Sequence, residues 1–189
     1  MAINRPKPDV IYHGSPFNVT EPKILKNEKR TMDFGYGFYC TTSPEQARKW
    51  AKAKLRKQKL TEGYVNVYRY DPSFYGLNVK NFGLNPSVDW LDFVVANRIN
   101  PNLEHDFDVI IGPVADDTAF SAIDTYIDEN DTSVERKNRL IKELKTYKLK
   151  DQILFHTEKA LKQLEYTGAL KVTNIVIKPS EKPIKGKKL

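Results

Sequence analysis

The sequence predicts an α+β domain built on a mixed or antiparallel β-sheet core with flanking helices. Three observations lead there. Short alternating or continuous apolar runs, such as Gly63–Tyr70 and Phe107–Val114, have the period and bounds of strands. Between them lie stretches with one apolar helical face and clear start signals, such as Ser43-Pro44-Glu45-Gln46. The two kinds are interspersed without the regular strand–helix–strand repeat of a parallel sheet. With 189 residues, of which 40% are hydrophobic and 11% aromatic, the chain can bury a sizeable core. The expected organisation is a single domain over residues 1–177 followed by a basic tail over 178–189.

Asp9-Val10-Ile11-Tyr12-His13-Gly14-Ser15 reads as an apolar strand ending in a polar turn, and residues 16–32 read as a loop. In Asp33-Phe34-Gly35-Tyr36-Gly37 the two glycines lack a Cβ, so the backbone there can take positive φ or approach a ligand closely. Phe38-Tyr39-Cys40-Thr41 is a short strand. Ser43 then supplies an N-cap, Pro44 the first helical residue and Gln46 a capping-box partner. That helix is expected over residues 44–60, with Ala47, Trp50, Ala51 and Leu55 inward. Gly63–Tyr70 alternates strictly as a half-buried strand, and Gly76–Lys80, beyond the Asp71-Pro72-Ser73 turn, is expected to pair beside it.

Ser87 or Asp89 caps a helix over Trp90–Arg98, and Phe107–Val114 is a core strand stopped by Gly112-Pro113. A helical segment is expected over Thr118–Asp128. Thr132 or Ser133 caps a further helix reaching Tyr147, with Val134, Leu140, Ile141 and Leu144 inward. Gln152–Thr157 is a strand whose contiguous apolar triplet leaves its inward face open. A brief helix, Glu158–Leu164, and a final strand, Ala169–Ile177, complete the pattern.

Composition narrows the function. The single cysteine, Cys40, excludes an internal disulfide and fits a reducing compartment. The three histidines and Cys40 are too scattered for metal-ligand spacing, so no metal is expected. No apolar run reaches the roughly 18 residues of a membrane span. The opening residues lack the apolar core of a signal peptide. A cytoplasmic protein without a membrane partner is expected. The net charge of +7 is uneven: residues 171–189 hold six lysines and one glutamate, and residues 101–135 hold ten acidic residues and no Lys or Arg. The tail has no aromatic residue to interleave with its lysines, which disfavours it as a nucleic-acid interface. The basic residues of the 44–60 helix read most simply as a solvated face.

Three pieces carry chemistry. Tyr12-His13-Gly14-Ser15 ends the first strand; Gly35-Tyr36-Gly37-Phe38-Tyr39-Cys40-Thr41-Thr42-Ser43 follows, with Tyr39 placed 26 residues after His13; Gln152-Ile153-Leu154-Phe155 lies in a late strand. Gly35-x-Gly37 is not a dinucleotide fingerprint, since it precedes a strand and has no third glycine. Cys40 reads as a packed strand residue, and a Cys40–His156 nucleophile pair is the weaker alternative. In this order the three pieces resemble the motifs of the ADP-ribosyltransferase superfamily, in its His-Tyr-Glu branch. The wording resembles more closely a family of uncharacterised bacterial proteins placed there, DUF3990-like. Those proteins share the patterns seen here at Asp33–Thr41, Trp90–Phe93 and Asp106–Ala115.

The resemblance implies a split-sheet fold and NAD as co-substrate. It gives His13 a ribose hydrogen bond and Tyr39 a stacking role on nicotinamide. Gly14 would pair through its backbone with the nicotinamide amide. Ser15 and Gly37 belong to the same binding set, as do Thr41, Thr42 and Ser43. Gln152 stands where the pattern has a glutamate, so the fixed charge that stabilises an oxocarbenium-like centre is missing. Losing such a charge costs about 2.7–4 kcal/mol of barrier. Glu158, Asp116 and Asp117 are candidate substitutes, and Arg30, Arg48 and Arg98 are candidates for the pyrophosphate. The acceptor implied is a protein or nucleic acid, in a toxin or effector setting with an antitoxin or inhibitor protein as partner. Arginine is disfavoured as acceptor because Lys150 occupies the place of the first glutamate of a Glu-x-Glu pair. Two other readings share the fold: a nucleotide-binding module without turnover, and RNA 2′-phosphotransferase chemistry.

Overall fold

The alternation at 63–70 becomes β3 (Glu62–Tyr70), the middle of a three-stranded antiparallel sheet between β1 (Asp9–Ser15) and β7 (Glu165–Thr173). The structure, a computed structural model, describes residues 9–25, 32–100 and 103–173. A second sheet has the order β2-β6-β5-β4, from Phe38–Cys40, Asp151–Phe155, Val109–Pro113 and Val79–Asn81. In it β2, β6 and β5 run antiparallel, and β4 runs parallel to β5. The two sheets meet where Tyr12 and Thr41 exchange main-chain hydrogen bonds of 2.9 and 3.0 Å. The fold class is therefore mixed α+β, with one antiparallel and one mixed sheet.

Five helices surround the sheets among the described residues. Helix α1 (Pro44–Gln58) starts where Ser43 Oγ accepts the Gln46 N–H, and it stops where Lys59 turns left-handed at φ 56°. It buries Gln46, Ala47, Ala51 and Leu55, while Trp50 is only half-buried. Helices α2 (Val88–Ile99), α3 (Asp117–Glu129) and α4 (Val134–Leu144) are capped by Ser87, Asp116 and Ser133. Helix α5 is the short Glu158–Leu161.

The residues of β6 explain the ambiguous apolar triplet, because both faces of this strand are covered. Leu154 packs with Phe34, Trp90, Ile110, Ile123 and Leu140 against the helices. Ile153 and Phe155 pack with Ile11, Phe38, Cys40 and Tyr68 in the other cluster. Each such buried side chain contributes roughly 1.5–3 kcal/mol.

Three expectations are corrected. Gly76–Lys80 does not extend the sheet beside β3, since both edges of β3 are taken by β1 and β7. Positive φ at Phe74 and Gly76 turns the chain away, and Asn78 clamps to Asp106 and Asp108, so β4 joins β5 instead. Val134 is 68% exposed because it opens α4 ahead of the packed face formed by Leu140, Ile141 and Leu144. The last strand starts earlier than the alternation implied, at Glu165. Its expected end, Asn174–Ile177, and the 178–189 tail lie outside the described residues. Among the described residues no helix is long and apolar enough to cross a membrane.

Candidate functional site

His13 faces the junction of the two sheets. Its Nδ1 donates to the Tyr39 carbonyl at 2.6 Å, so the proton sits on Nδ1 and Nε2 is left as an acceptor. The ring stacks on Phe38 with centroids 4.3 Å apart. Burial, and then the charge of Lys54, lower the His13 pKa to about 3 against the opposing pull of the Tyr39 carbonyl. The imidazole is thus neutral at physiological pH. Behind it the fully buried Asn66 donates to the carbonyls of His13 and Phe17 and accepts the Val19 N–H, which fixes the turn after β1.

Gly14 is demanded by packing. A Cβ there would lie 1.9 Å from the Ala47 carbonyl oxygen, so α1 rests directly on the β1 backbone. The Gly14 carbonyl accepts from Lys54 Nζ at 2.7 Å. Ser15 is buried, and its Oγ accepts the Phe17 N–H in a tight turn.

Tyr39 meets His13 through its main chain; its ring lies on the other face of β2. There it packs on the cluster containing Phe34 and Leu154, whereas Phe38 belongs to the cluster on the His13 side. The Tyr39 hydroxyl donates to Gly35 O at 2.6 Å and accepts from Phe34 N at 3.2 Å. It therefore closes the Asp33–Gly37 turn onto the strand. Gly35 and Gly37 have φ of 84° and 143°. A Cβ on Gly37 would meet Leu154 Cδ1 at 2.5 Å and Phe155 O at 2.7 Å, so the protein's own chain fills that clearance.

Gln152 shares this helix-side face with Tyr39 and Leu154 and is 3% exposed. Its Nε2 donates to Asp33 Oδ2 and to Pro113 O, each at 3.2 Å. Both partners only accept, so the amide is oriented by chemistry, with Oε1 as its remaining acceptor. Asp33 is itself buried. Its Oδ1 takes Arg98 Nε at 3.1 Å and Nη2 at 2.6 Å, and its Oδ2 also takes the Ala115 N–H at 3.2 Å. Arg98 reaches on to Asp124 Oδ1 at 2.8 Å and lies over the Phe120 ring. One step along β6, Asp151 accepts from both hydroxyls of Thr41 and Thr42 and from the Thr42 N–H.

The remaining candidates are dispersed. Asp116 caps α3, Asp117 begins it, and Glu158 begins α5. Arg98 is committed to Asp33 and Asp124, Arg48 is exposed on α1, and Arg30 lies outside the described residues. Cys40 is fully buried, and burial pushes its thiol pKa well above the ordinary value. His156 Nδ1 donates to Tyr36 O at 2.9 Å, and its ring stands 4.2 Å from that of His105. Among the described residues no group of three His, Cys, Asp or Glu could hold a metal.

Sequence reasoning missed the roles of Asp33, Arg98 and Asp151. A signal existed for Asp33, the first residue of the Asp-Phe-Gly run, but Arg98 read as a candidate for the pyrophosphate and not as the partner of Asp33. The arrangement defines an α+β domain in which a neutral histidine and a locked glutamine lie on opposite faces of the β2–β6 pair, with Asp151 held by Thr41 and Thr42. The chain belongs to the family described as "Protein of unknown function (DUF3990)", which it matches over residues 10–166. No curated protein matches the chain.

Proposed function

We propose that the chain is an NAD-dependent ADP-ribosyltransferase of the His-Tyr-Glu type, acting on a macromolecular acceptor. The observation that carries this reading is His13. Its donor nitrogen is spent on Tyr39 O and its pKa is held near 3, so Nε2 stands ready to accept a ribose hydroxyl. The split of the strands into two sheets joined at Tyr12–Thr41 supports the same fold assignment. Gln152 would accept a second ribose hydroxyl at Oε1, and a toxin or effector role with an inhibitor protein as partner goes with this reading. The test is incubation with labelled NAD and cell lysate, scored for nicotinamide release and labelled product. Wild type should be active and His13→Ala inactive; neither release nor NAD binding by wild type overturns the proposal.

A second reading, a nucleotide-binding module without turnover, is favoured by Gln152. It is uncharged, and the negative charge beside it is neutralised by Arg98. At 3% exposure it meets a ribose only if the Asp33–Gly37 turn opens. NAD binding by calorimetry with no nicotinamide release selects this reading.

A further inference from the structure

Seven of the residues from Arg48 to Lys59 are Lys or Arg, and Glu45 is the one acidic residue of α1. The opposite face of the helix is sealed: Ala47, Ala51 and Leu55 are fully buried, with Ala47 and Ala51 packed on Val65 and Val172 of the first sheet. That packing fixes the helix and turns its cations outward, apart from Lys54, which reaches back to the Gly14 carbonyl. Arg48, Lys52 and Arg56 recur every four residues, about 6 Å apart along the axis, with Lys49 beside them. Arg48, Lys49 and Arg56 are exposed and Lys52 is half-exposed.

Among the described residues, none of these four cations pairs with a carboxylate. The ion pairs use Lys80, Arg98, Arg136, Lys137, Lys159 and Lys171 instead. Helix α4 is also basic, but it sits among acids, with Arg136 on Glu129 and Lys137 on Asp92. Helix α3 and its cap carry Asp116, Asp117, Asp124, Asp128 and Glu129 with no cation. Charge is therefore segregated, and α1 is its positive pole.

We propose that the Arg48–Lys52–Arg56 stripe docks the phosphate backbone of duplex DNA. Like charges four residues apart repel, and a polyanion relieves that repulsion while releasing its own counterions. A single strand is disfavoured because the stripe has no aromatic side chain on which unpaired bases could stack. The stripe holds only Lys and Arg, whose donors serve phosphates, and no Ser, Thr or Asn that would pair both ways with a ribose 2′-hydroxyl, which disfavours RNA. This inference does not rest on the reading of the NAD site, and it is tested without NAD.

The test is fluorescence anisotropy of the full chain on a short DNA duplex across a salt series. With four phosphate contacts, log K should fall against log salt with a slope of about −3.6. Arg48→Ala/Lys52→Ala/Arg56→Ala should flatten that slope by about 2.7 and weaken binding at low salt. Arg139→Ala/Lys142→Ala/Lys145→Ala on α4 and its C-cap removes the same charge and should leave the slope nearly unchanged. Alanine is the best helix former, so α1 should persist, and glutamine at the same three positions provides a second variant. Failure of wild type to bind the duplex overturns the proposal. So does an equal loss in the α1 and α4 variants, or tighter binding to single strands or duplex RNA.

Discussion

Gln152 Nε2 lies 3.2 Å from Asp33 Oδ2, and the same nitrogen lies 3.2 Å from the Pro113 carbonyl. A glutamate at 152 would place a carboxylate against two acceptors with no hydrogen to share. The glutamate that the proposed His-Tyr-Glu reading would have there is thus incompatible with this chain's Asp33 unless it is protonated. Gln152→Glu should therefore lose about 1–3 kcal/mol of stability rather than gain activity. Denaturant melts check this, and a stable, more active Gln152→Glu protein would contradict it. The double variant Gln152→Glu/Asp33→Asn, which restores a donor across the pair, should recover part of the loss.

The Asp33–Arg98 pair is buried at both ends, with side-chain exposures of 11% and 4%. Removing one partner leaves a charge in the core, which costs about 3–5 kcal/mol. Arg98→Met and Asp33→Ala should each be strongly destabilising, and the double variant Asp33→Ala/Arg98→Met should be less so than the sum. Additive losses in a double-mutant cycle would show that the two side chains are not coupled.

Legibility in the sequence followed the range of the signals. Helix starts and strand periods are local, and Ser43, Ser87 and Ser133 mark their helices as residue chemistry dictates. The partner of Val79–Asn81 was not legible, because it depended on both edges of β3 being occupied by strands distant in the chain. His13 and Tyr39 were legible as neighbours, yet the contact runs through a carbonyl, which any residue at 39 would supply. Asp33, Arg98 and Gln152 come from three separated segments, and no periodicity in a single chain brings them together.

The partly buried imidazoles of His13 and His105 set an acid limit. The pKa of His13 is lowered to about 3 and that of His105 to about 4, in both cases chiefly by burial. Both fall below the unfolded value of 6.5, so the unfolded chain binds protons first as pH falls. Stability is whole above about pH 6.5 and declines towards pH 4, by at most about 1.4 kcal/mol per pH unit per histidine. His13→Asn should flatten this dependence in urea melts between pH 7 and 5. An unchanged slope would show that His13 titrates normally in the folded state.

Cys40 is fully buried on β2 with its thiol pKa raised by that burial. It should resist alkylation at neutral pH in the native protein and react at once in denaturant. Mass spectrometry of iodoacetamide-treated protein reads this directly. Rapid native labelling would reopen the Cys40–His156 alternative.

Gly14 separates the fold from the candidate site. A backbone role towards nicotinamide needs only its N–H and carbonyl, which alanine also has. The structural demand is different: a Cβ would fall 1.9 Å from the Ala47 carbonyl and 2.8 Å from the Ala51 nitrogen, both backbone atoms that cannot rotate away. Gly14→Ala should therefore push α1 off β1 and cost about 1–3 kcal/mol. It should also disturb the Lys54 contact, which depends on the same seating of the helix. If the melting temperature is unchanged while NAD binding is lost, the glycine serves a ligand. If stability falls and residual binding tracks the folded fraction, it serves the packing of α1, which is the outcome expected here.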